Sequence, residues 1–180
     1  MSQLTEIQLI TRCKKDDRRA QKLLYEEYID EMIGVSIRYL RDEQIAFEVL
    51  NQSFLKVFTN ILTFEYQEEG SLRGWIKRIV INEALMYLRK KDHHLQMLSI
   101  DDDSIQPTSN EIDNIDGEYL HECIRKLPTG AGLVFNLHTI EGFSHKEIAT
   151  QLNIEESSSR SQLTYAKKLL RSIIQKGHLL

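Results

Sequence analysis

Cysteine is nearly absent from the chain: Cys13 and Cys123 are the only two, and they lie far apart. They form no C-x-x-C redox pair and no zinc knuckle, so two buried, reduced thiols are expected. Proline is as scarce, at Pro107 and Pro128 alone. No N-G or D-G pair sits between alternating apolar runs, since Asp116-Gly117 falls in a polar stretch, and this excludes an all-β chain built of hairpins. No apolar run approaches the roughly 18 residues that a membrane span needs. The N-terminal MSQLTEIQLITRCKKDDRR has no apolar signal region followed by a small-residue cleavage site. A cytoplasmic protein without membrane insertion is expected. No internal repeat stands out.

What is present is helical periodicity. With 41% hydrophobic residues in 180, the chain can bury a core and has room for one ordinary domain or two small ones. The formal net charge of −4 is unevenly spread. Residues 1–91 carry 15 basic and 14 acidic side chains, residues 92–119 none and 8, and residues 120–180 carry 8 and 5. The excess acid therefore sits in DHHLQMLSIDDDSIQPTSNEIDNIDGE, which is polar and lacks apolar periodicity. It reads as an acidic linker, 92–119, between helical units at 1–91 and 120–180.

In the C-terminal unit, Ile124, Leu127, Leu133, Val134, Leu137 and Ile140 have helical spacing, broken by a turn expected at Pro128 and Gly130. Glu141-Gly142 closes a helix. Ser144 then caps the next, with Glu147 completing a capping box. Ile148, Ala149 and Leu152 share one side of HKEIATQL, and Asn153-Ile154 turns the chain. The run SSSRSQLTY that follows looks like a spacer until it is placed on a helical wheel. Ser159, Leu163, Ala166, Leu170 and Ile173 then fall on one apolar face. Ser157, Ser161, Thr164 and Lys168 lie opposite, with Arg160, Lys167 and Arg171 along a flank. A short helix, a tight turn and a second helix with a polar outer face make a helix-turn-helix. Such a second helix enters the DNA major groove by its N-terminal residues. Arg160 suits a bidentate contact with guanine, worth about 1–3 kcal/mol of discrimination. Gln162 could pair with adenine, although the wheel puts it near the core edge. Ser161 and Thr164 can approach bases or phosphates, and Lys167, Lys168 and Arg171 would meet phosphates. The plain alternative is a helical hairpin with a solvated charged face.

The N-terminal unit opens with one long amphipathic helix marked by Leu24, Tyr28, Met32, Val35 and Tyr39. A second, after Arg41-Asp42, carries Leu50, Phe54, Val57, Phe58 and Ile61 in phase, with Glu48, Asn51, Gln52 and Lys56 on its other face. The loop 64–71 follows. A third helix bears Trp75, Ile76, Ile79, Val80 and Leu88, and residues 70–91 hold Arg73, Lys77, Arg78, Arg89, Lys90 and Lys91 against Glu83 alone. A basic helix beside an aromatic-bearing loop suits single-stranded nucleic acid: charge for the backbone, π-faces for bases. Phe64, Tyr66 and Trp75 could equally be core residues.

Enzymatic chemistry has little support. Six histidines include the pair His93-His94, but neighbours on a helix diverge, and no H-E-x-x-H occurs. Asp101-Asp102-Asp103 lacks the glycine and closing glutamate of an EF-hand loop. No metal and no cofactor are expected.

Two stretches agree on one family. LLYEEYIDEMIGVSIRYL, AFEVLNQSFLKVF and SLRGWIKRIVINEALMYLRKK together resemble the sigma-2 domain of bacterial sigma-70-type factors. IRKLPTGAGLVFNLHTIEGFSHKEIATQLNIEESSSRSQLTYAKKLL resembles their sigma-4 domain. The pair, with no domain between, looks like an extracytoplasmic-function (ECF) sigma factor over residues 18–91 and 120–174. The resemblance implies an all-α chain, with a sigma-2-like bundle and a sigma-4-like helix-turn-helix domain joined by the linker. It implies a non-catalytic subunit that directs core RNA polymerase to promoter DNA. Glu48, Asn51, Gln52, Phe54 and Lys56 match the element that binds the β′ clamp helices. Phe64, Tyr66, Ser71, Trp75, Arg78 and Asn82 match the part that recognises and melts the −10 element. Ser157, Arg160, Ser161, Gln162 and Thr164 match the −35-reading helix, with Lys167, Lys168 and Arg171 continuing it, and the sigma-4 domain would also sit on the β flap. Family habit adds an anti-sigma factor as a partner.

The chain departs from the family pattern in three places. Asn51-Gln52 stands where the family often has Gln followed by an acid. Asn153 replaces the usual turn glycine and tolerates the same left-handed backbone. The adjacent tryptophans of housekeeping factors are absent, which fits a factor that relies on good −35 and −10 matches. The competing reading is a helix-turn-helix regulator acting without polymerase, a dimer on palindromic DNA.

Overall fold

The computed structural model describes residues 4–91 and 117–177. The described residues contain helices and turns but no strand. They fall into two compact units, divided after Leu88. Among them, no helix is long and apolar enough to cross a membrane.

The N-terminal unit is a four-helix assembly whose helix starts are written locally. α1 (Glu6–Cys13) begins at Thr5, whose side chain and that of Gln8 form a reciprocal capping box. α2 (Arg18–Leu40) is capped by Asp17, whose Oδ1 accepts hydrogen bonds from the Arg19 and Ala20 amides. The Ala20 amide contributes most to holding the Asp17 carboxyl below its usual range. α2 ends at Arg41 in the left-handed region, φ 61°. Asp42 at once caps α3 (Glu43–Asn60) through the Ile45 amide at 3.0 Å. α4 (Ser71–Lys91) follows a 3₁₀ turn at Ile61–Thr63 and the loop 64–70.

The core of this unit is the expected α2 line of Leu24, Tyr28, Met32, Val35 and Tyr39, meeting Leu50, Phe54, Val57 and Ile61. On α4 the buried face is Leu72, Ile76, Val80, Ile81, Ala84 and Leu85. Trp75, Ile79 and Leu88, expected on that face, are half-buried at its margins. α1 adds Leu9, Ile10 and Cys13. Burial, followed by the nearby Asp17 charge, pushes the Cys13 thiol up to about 11. The buried Ser36 hydroxyl donates to the Ala46 carbonyl at 3.0 Å, so it stays satisfied and ties α2 to α3.

The C-terminal unit comprises α5 (Gly117–Arg125), α6 (Thr129–Phe135), α7 (His145–Leu152) and α8 (Glu156–Gly177). α5 starts three residues inside the stretch read as linker, and residues 92–116 of that stretch lie outside the described residues. Gly130 was expected in a turn but lies within α6, because Pro128 serves as the N-cap with φ −52° and the helix starts directly after it. A π-helical segment, Asn136–Ile140, extends α6. It ends with the Glu141 amide donating to the Asn136 carbonyl and Gly142 at φ +78°, a backbone state that glycine adopts without strain.

Candidate nucleic-acid interface

The helix-turn-helix forms as its sequence implies. Ser144 caps α7: its hydroxyl faces the Glu147 amide at 3.3 Å, and its own amide donates to Glu147 Oε2 at 2.8 Å. Ile148 is fully buried beneath it. Asn153 takes the left-handed conformation, φ 54° and ψ 50°. The Ile154 amide then donates to the Ala149 carbonyl, which completes the tight turn into α8. On α8 the buried line is Ser159, Leu163, Ala166, Leu170 and Ile174, and Ile173 lies half-buried beside it. Ser159 Oγ is 2.9 Å from His145 Nδ1, a hydrogen bond between the front of α7 and the second turn of α8. The His145 ring stacks on His138, with centroids 4.4 Å apart and planes 14° from parallel. His138 Nδ1 lies 2.8 Å from the Phe143 carbonyl, which can only accept, so this nitrogen carries the proton. Burial lowers the His145 pKa most, and His138, Arg160 and Lys167 lower it further against the opposing charge of Glu156.

With Ser159 turned inward, Ser157, Arg160, Ser161, Thr164, Lys167 and Arg171 all face solvent, and Lys168 is half-buried. The Ser161 and Thr164 hydroxyls donate back to the Ser157 and Arg160 carbonyls at 3.1 and 3.0 Å. Their protons are therefore used within the helix, and what they present outward is lone pairs, suited to accept from a base amino group. Arg160 is engaged as well: Nη2 lies 2.6 Å from Glu156 Oε1, one turn earlier. An exposed i, i+4 pair of this kind is worth about 0.3–0.5 kcal/mol, so a guanine can displace it at small cost. Gln162 is corrected. It is 6% exposed and belongs to the inner face, so it cannot reach a base edge from a folded α8.

In the N-terminal unit, Ser71, Trp75, Arg78 and Asn82 recur at intervals of four, three and four, which makes one stripe along α4. Arg78 and Asn82 are exposed, Ser71 and Trp75 half-buried. The loop before the stripe splits its aromatics. Tyr66 is 38% exposed, whereas Phe64 is 6% exposed, with its ring 5.0 Å from that of Trp75. Phe64 is thus the floor on which Trp75 rests and not a free base-stacking surface. Arg73 points elsewhere, its Nε lying 2.9 and 2.7 Å from the two oxygens of Glu31 and fastening α4 to α2.

The residues proposed for polymerase contact separate in the same way. Glu48 and Gln52 are exposed on α3. Asn51 is half-buried and oriented by the Tyr25 hydroxyl, which donates to its Oδ1 at 3.2 Å. Lys56 is exposed but paired with Glu83 of α4 at 2.6 Å, a clamp between helices. Phe54 is corrected: at 2% exposure it is core, edge-on to Tyr25 at 4.8 Å. Sequence reading missed Phe47 and Leu55, 48% and 59% exposed on the same helix. Their signal was available, since both are large apolar residues out of phase with the buried line. Phe47 also lines an open groove with Ile33, Ile37, Glu43 and Glu48.

Comparison with known proteins agrees with this two-part arrangement. The Sigma-70 region 2 family model matches residues 24–94, and the Sigma-70, region 4 model matches residues 117–170. The chain is 25% identical to the ECF RNA polymerase sigma-E factor of Haemophilus influenzae, over 96% of this chain and 97% of that protein. It is 24% identical to the RNA polymerase sigma-H factor of Pseudomonas aeruginosa, over 97% and 96%. Among solved structures it is similar in fold to CnrH in complex with the cytosolic domain of CnrY, at 17% identity, TM-score 0.52, covering 93% of this chain and 96% of that one. It is also similar to the sigma factor RpoE in complex with the anti-sigma factor NepR from Bartonella quintana, at 16% identity, TM-score 0.53, over 86% and 96%. With regions 2 and 4 matched in order and relatives of the ECF type spanning nearly its whole length, the chain belongs to the sigma-70 family, as an ECF sigma factor.

Proposed function

We propose that the protein is a promoter-specificity subunit of RNA polymerase. It binds core polymerase through residues 1–91, reads and opens the −10 element with the same domain, and reads the −35 element with residues 120–180. The observation that best supports this is the division of α8, where Ser159 and Gln162 are buried while Ser157, Arg160, Ser161 and Thr164 face outward. Arg160 is the base reader, Ser161 and Thr164 offer acceptors beside it, and Lys167, Lys168 and Arg171 take phosphates.

On the other unit, Tyr66, Ser71, Trp75, Arg78 and Asn82 form the −10 surface, with Phe64 supporting Trp75 from below. Extruding a base costs on the order of a few kcal/mol, which the receiving surface must offset. Glu48, Asn51, Gln52 and the exposed Phe47 form the face toward the β′ clamp helices. The chain itself catalyses nothing in this reading: polymerase supplies the chemistry, and this subunit supplies base readout and traps unpaired bases. Polymerase and promoter place it in the cytoplasm. Because two similar folds were solved with CnrY and NepR bound, an anti-sigma polypeptide completes the proposed partners.

A gel shift with and without core polymerase tests the reading. The isolated chain, carrying 8 acidic and no basic side chains over residues 92–119, should retard promoter duplex weakly in physiological salt. Addition of core polymerase should yield a specific complex. Nanomolar binding of a palindromic duplex by the chain alone would favour a regulator that acts without polymerase.

A further inference from the structure

We propose that α1 and its C-cap Lys14 position the −10 loop, with Glu6 and Lys14 as the positioning residues; this rests on the reading of loop 64–71 and the α4 stripe given above. The Sigma-70 region 2 match begins at residue 24, so α1 lies outside it. Yet α1 grips that loop at both ends. Lys14 Nζ donates to the Phe64 carbonyl at 2.6 Å, where the loop begins. At the far end, the Glu6 carboxylate accepts from the Gly70 amide at 2.7 Å and the Leu72 amide at 3.0 Å.

These are consequential places to hold. The first amides of a helix have no partner within it, and a carboxylate there is favoured both by hydrogen bonding and by the helix dipole. For α4 that carboxylate comes from a different helix, more than sixty residues earlier in the chain. Glu6 therefore fixes where α4 starts, and with it the direction of Ser71 and Trp75. Gly70, at φ +86°, allows its amide to turn toward Glu6. Lys14 acts on the same feature from the other side, because it holds the backbone of Phe64, whose ring supports Trp75 at 5.0 Å. Glu6 and Lys14 stand eight positions apart, about 12 Å along the helix axis, and each meets a different end of the loop. Between the anchors, residues 65–69 stay exposed, Tyr66 among them. The loop is thus pinned at its ends and open in the middle, the arrangement expected of a preorganised receptor for an unpaired base.

A purely structural role for α1 is already served by Leu9, Ile10 and Cys13 in the core. The test therefore asks for base selectivity as well as stability. Holoenzymes assembled with Glu6→Ala, Lys14→Met and Lys14→Arg chains are compared on forked promoter DNA carrying a single-stranded −10 element and its base variants. Core-polymerase affinity and far-UV melting are measured alongside. Each lost charge-assisted hydrogen bond should lower affinity for the forked DNA on the order of tenfold. Glu6→Ala and Lys14→Met should also flatten the preference among −10 bases, with core affinity held within about twofold. Lys14→Arg, which keeps the donor, should behave like the parent. Unchanged −10 preference in both disruptive variants, or a loss that only tracks melting temperature and core affinity, overturns the proposal. If the parent holoenzyme itself shows no −10 preference, the assignment of the loop fails first, and the role of α1 falls with it.

Discussion

Ser159 gives the sharpest test of the C-terminal architecture, because a serine in a spacer and a serine in a helix interface respond oppositely to enlargement. It is fully buried on α8, and its hydroxyl meets His145 Nδ1 at 2.9 Å. Ser159→Ala removes one neutral hydrogen bond, about 1 kcal/mol, because His145 is only half-buried and water can reach it in exchange. Ser159→Leu loses the same bond and forces a larger side chain between α7 and α8. Overpacking adds about 1–3 kcal/mol, for a total of about 2–4 kcal/mol. For a unit of this size each kcal/mol lowers the melting midpoint by roughly 4–8 °C. Ser159→Ala should thus melt about 5 °C lower and Ser159→Leu at least about 10 °C lower by far-UV circular dichroism. The single tryptophan, Trp75, belongs to the other unit and provides an internal control by fluorescence. Both variants melting within about 3 °C of the parent would refute the placement of Ser159 in a packed interface, since surface changes usually stay within about 0.5 kcal/mol.

Arg160→Ala should relax preference at one −35 position by about 1–3 kcal/mol, whereas Arg171→Ala should weaken binding equally on all sequences; competition binding of holoenzyme to −35 variants distinguishes them. His145 titrates below its ordinary 6.5 in the folded chain, so the unfolded state binds more protons below that value. Its contribution to the stability of the C-terminal unit should be fully present above pH 6.5 and be lost as pH drops through the folded pKa, and His145→Gln should flatten that slope in melts from pH 5 to 8. Cys13 and Cys123 are free and buried, so a disulfide reagent at neutral pH should label neither thiol in the native chain and both in denaturant.

Much of this could be read from the residues because the signals are local. The Ser144–Glu147 box, the left-handed Asn153 and the inward phase of Ser159 each depend on neighbours within a turn or two. Phe54 was legible too, since its phase with Leu50, Val57 and Ile61 already marked it as core before family likeness suggested a surface role. What escaped depends on long-range partners. The bonds from α1 to Phe64, Gly70 and Leu72 join residues fifty or more positions apart and leave no periodic trace. The same holds for Lys56 with Glu83 and Arg73 with Glu31, where one exposed charge looks like any other until the fold supplies its partner. In the loop, no periodicity distinguishes Phe64 from Tyr66, and only packing against Trp75 decides which is buried.

Run-off transcription with purified core polymerase shows whether the chain selects promoters. Linear genomic fragments are transcribed with core alone, with core plus the parent chain, and with core plus the Arg160→Ala chain. Discrete transcripts should require the parent chain, start downstream of shared −35 and −10 elements, and weaken with Arg160→Ala at promoters matched to its −35 contact. If no transcript across the genome depends on the chain, it is not a promoter-specificity subunit.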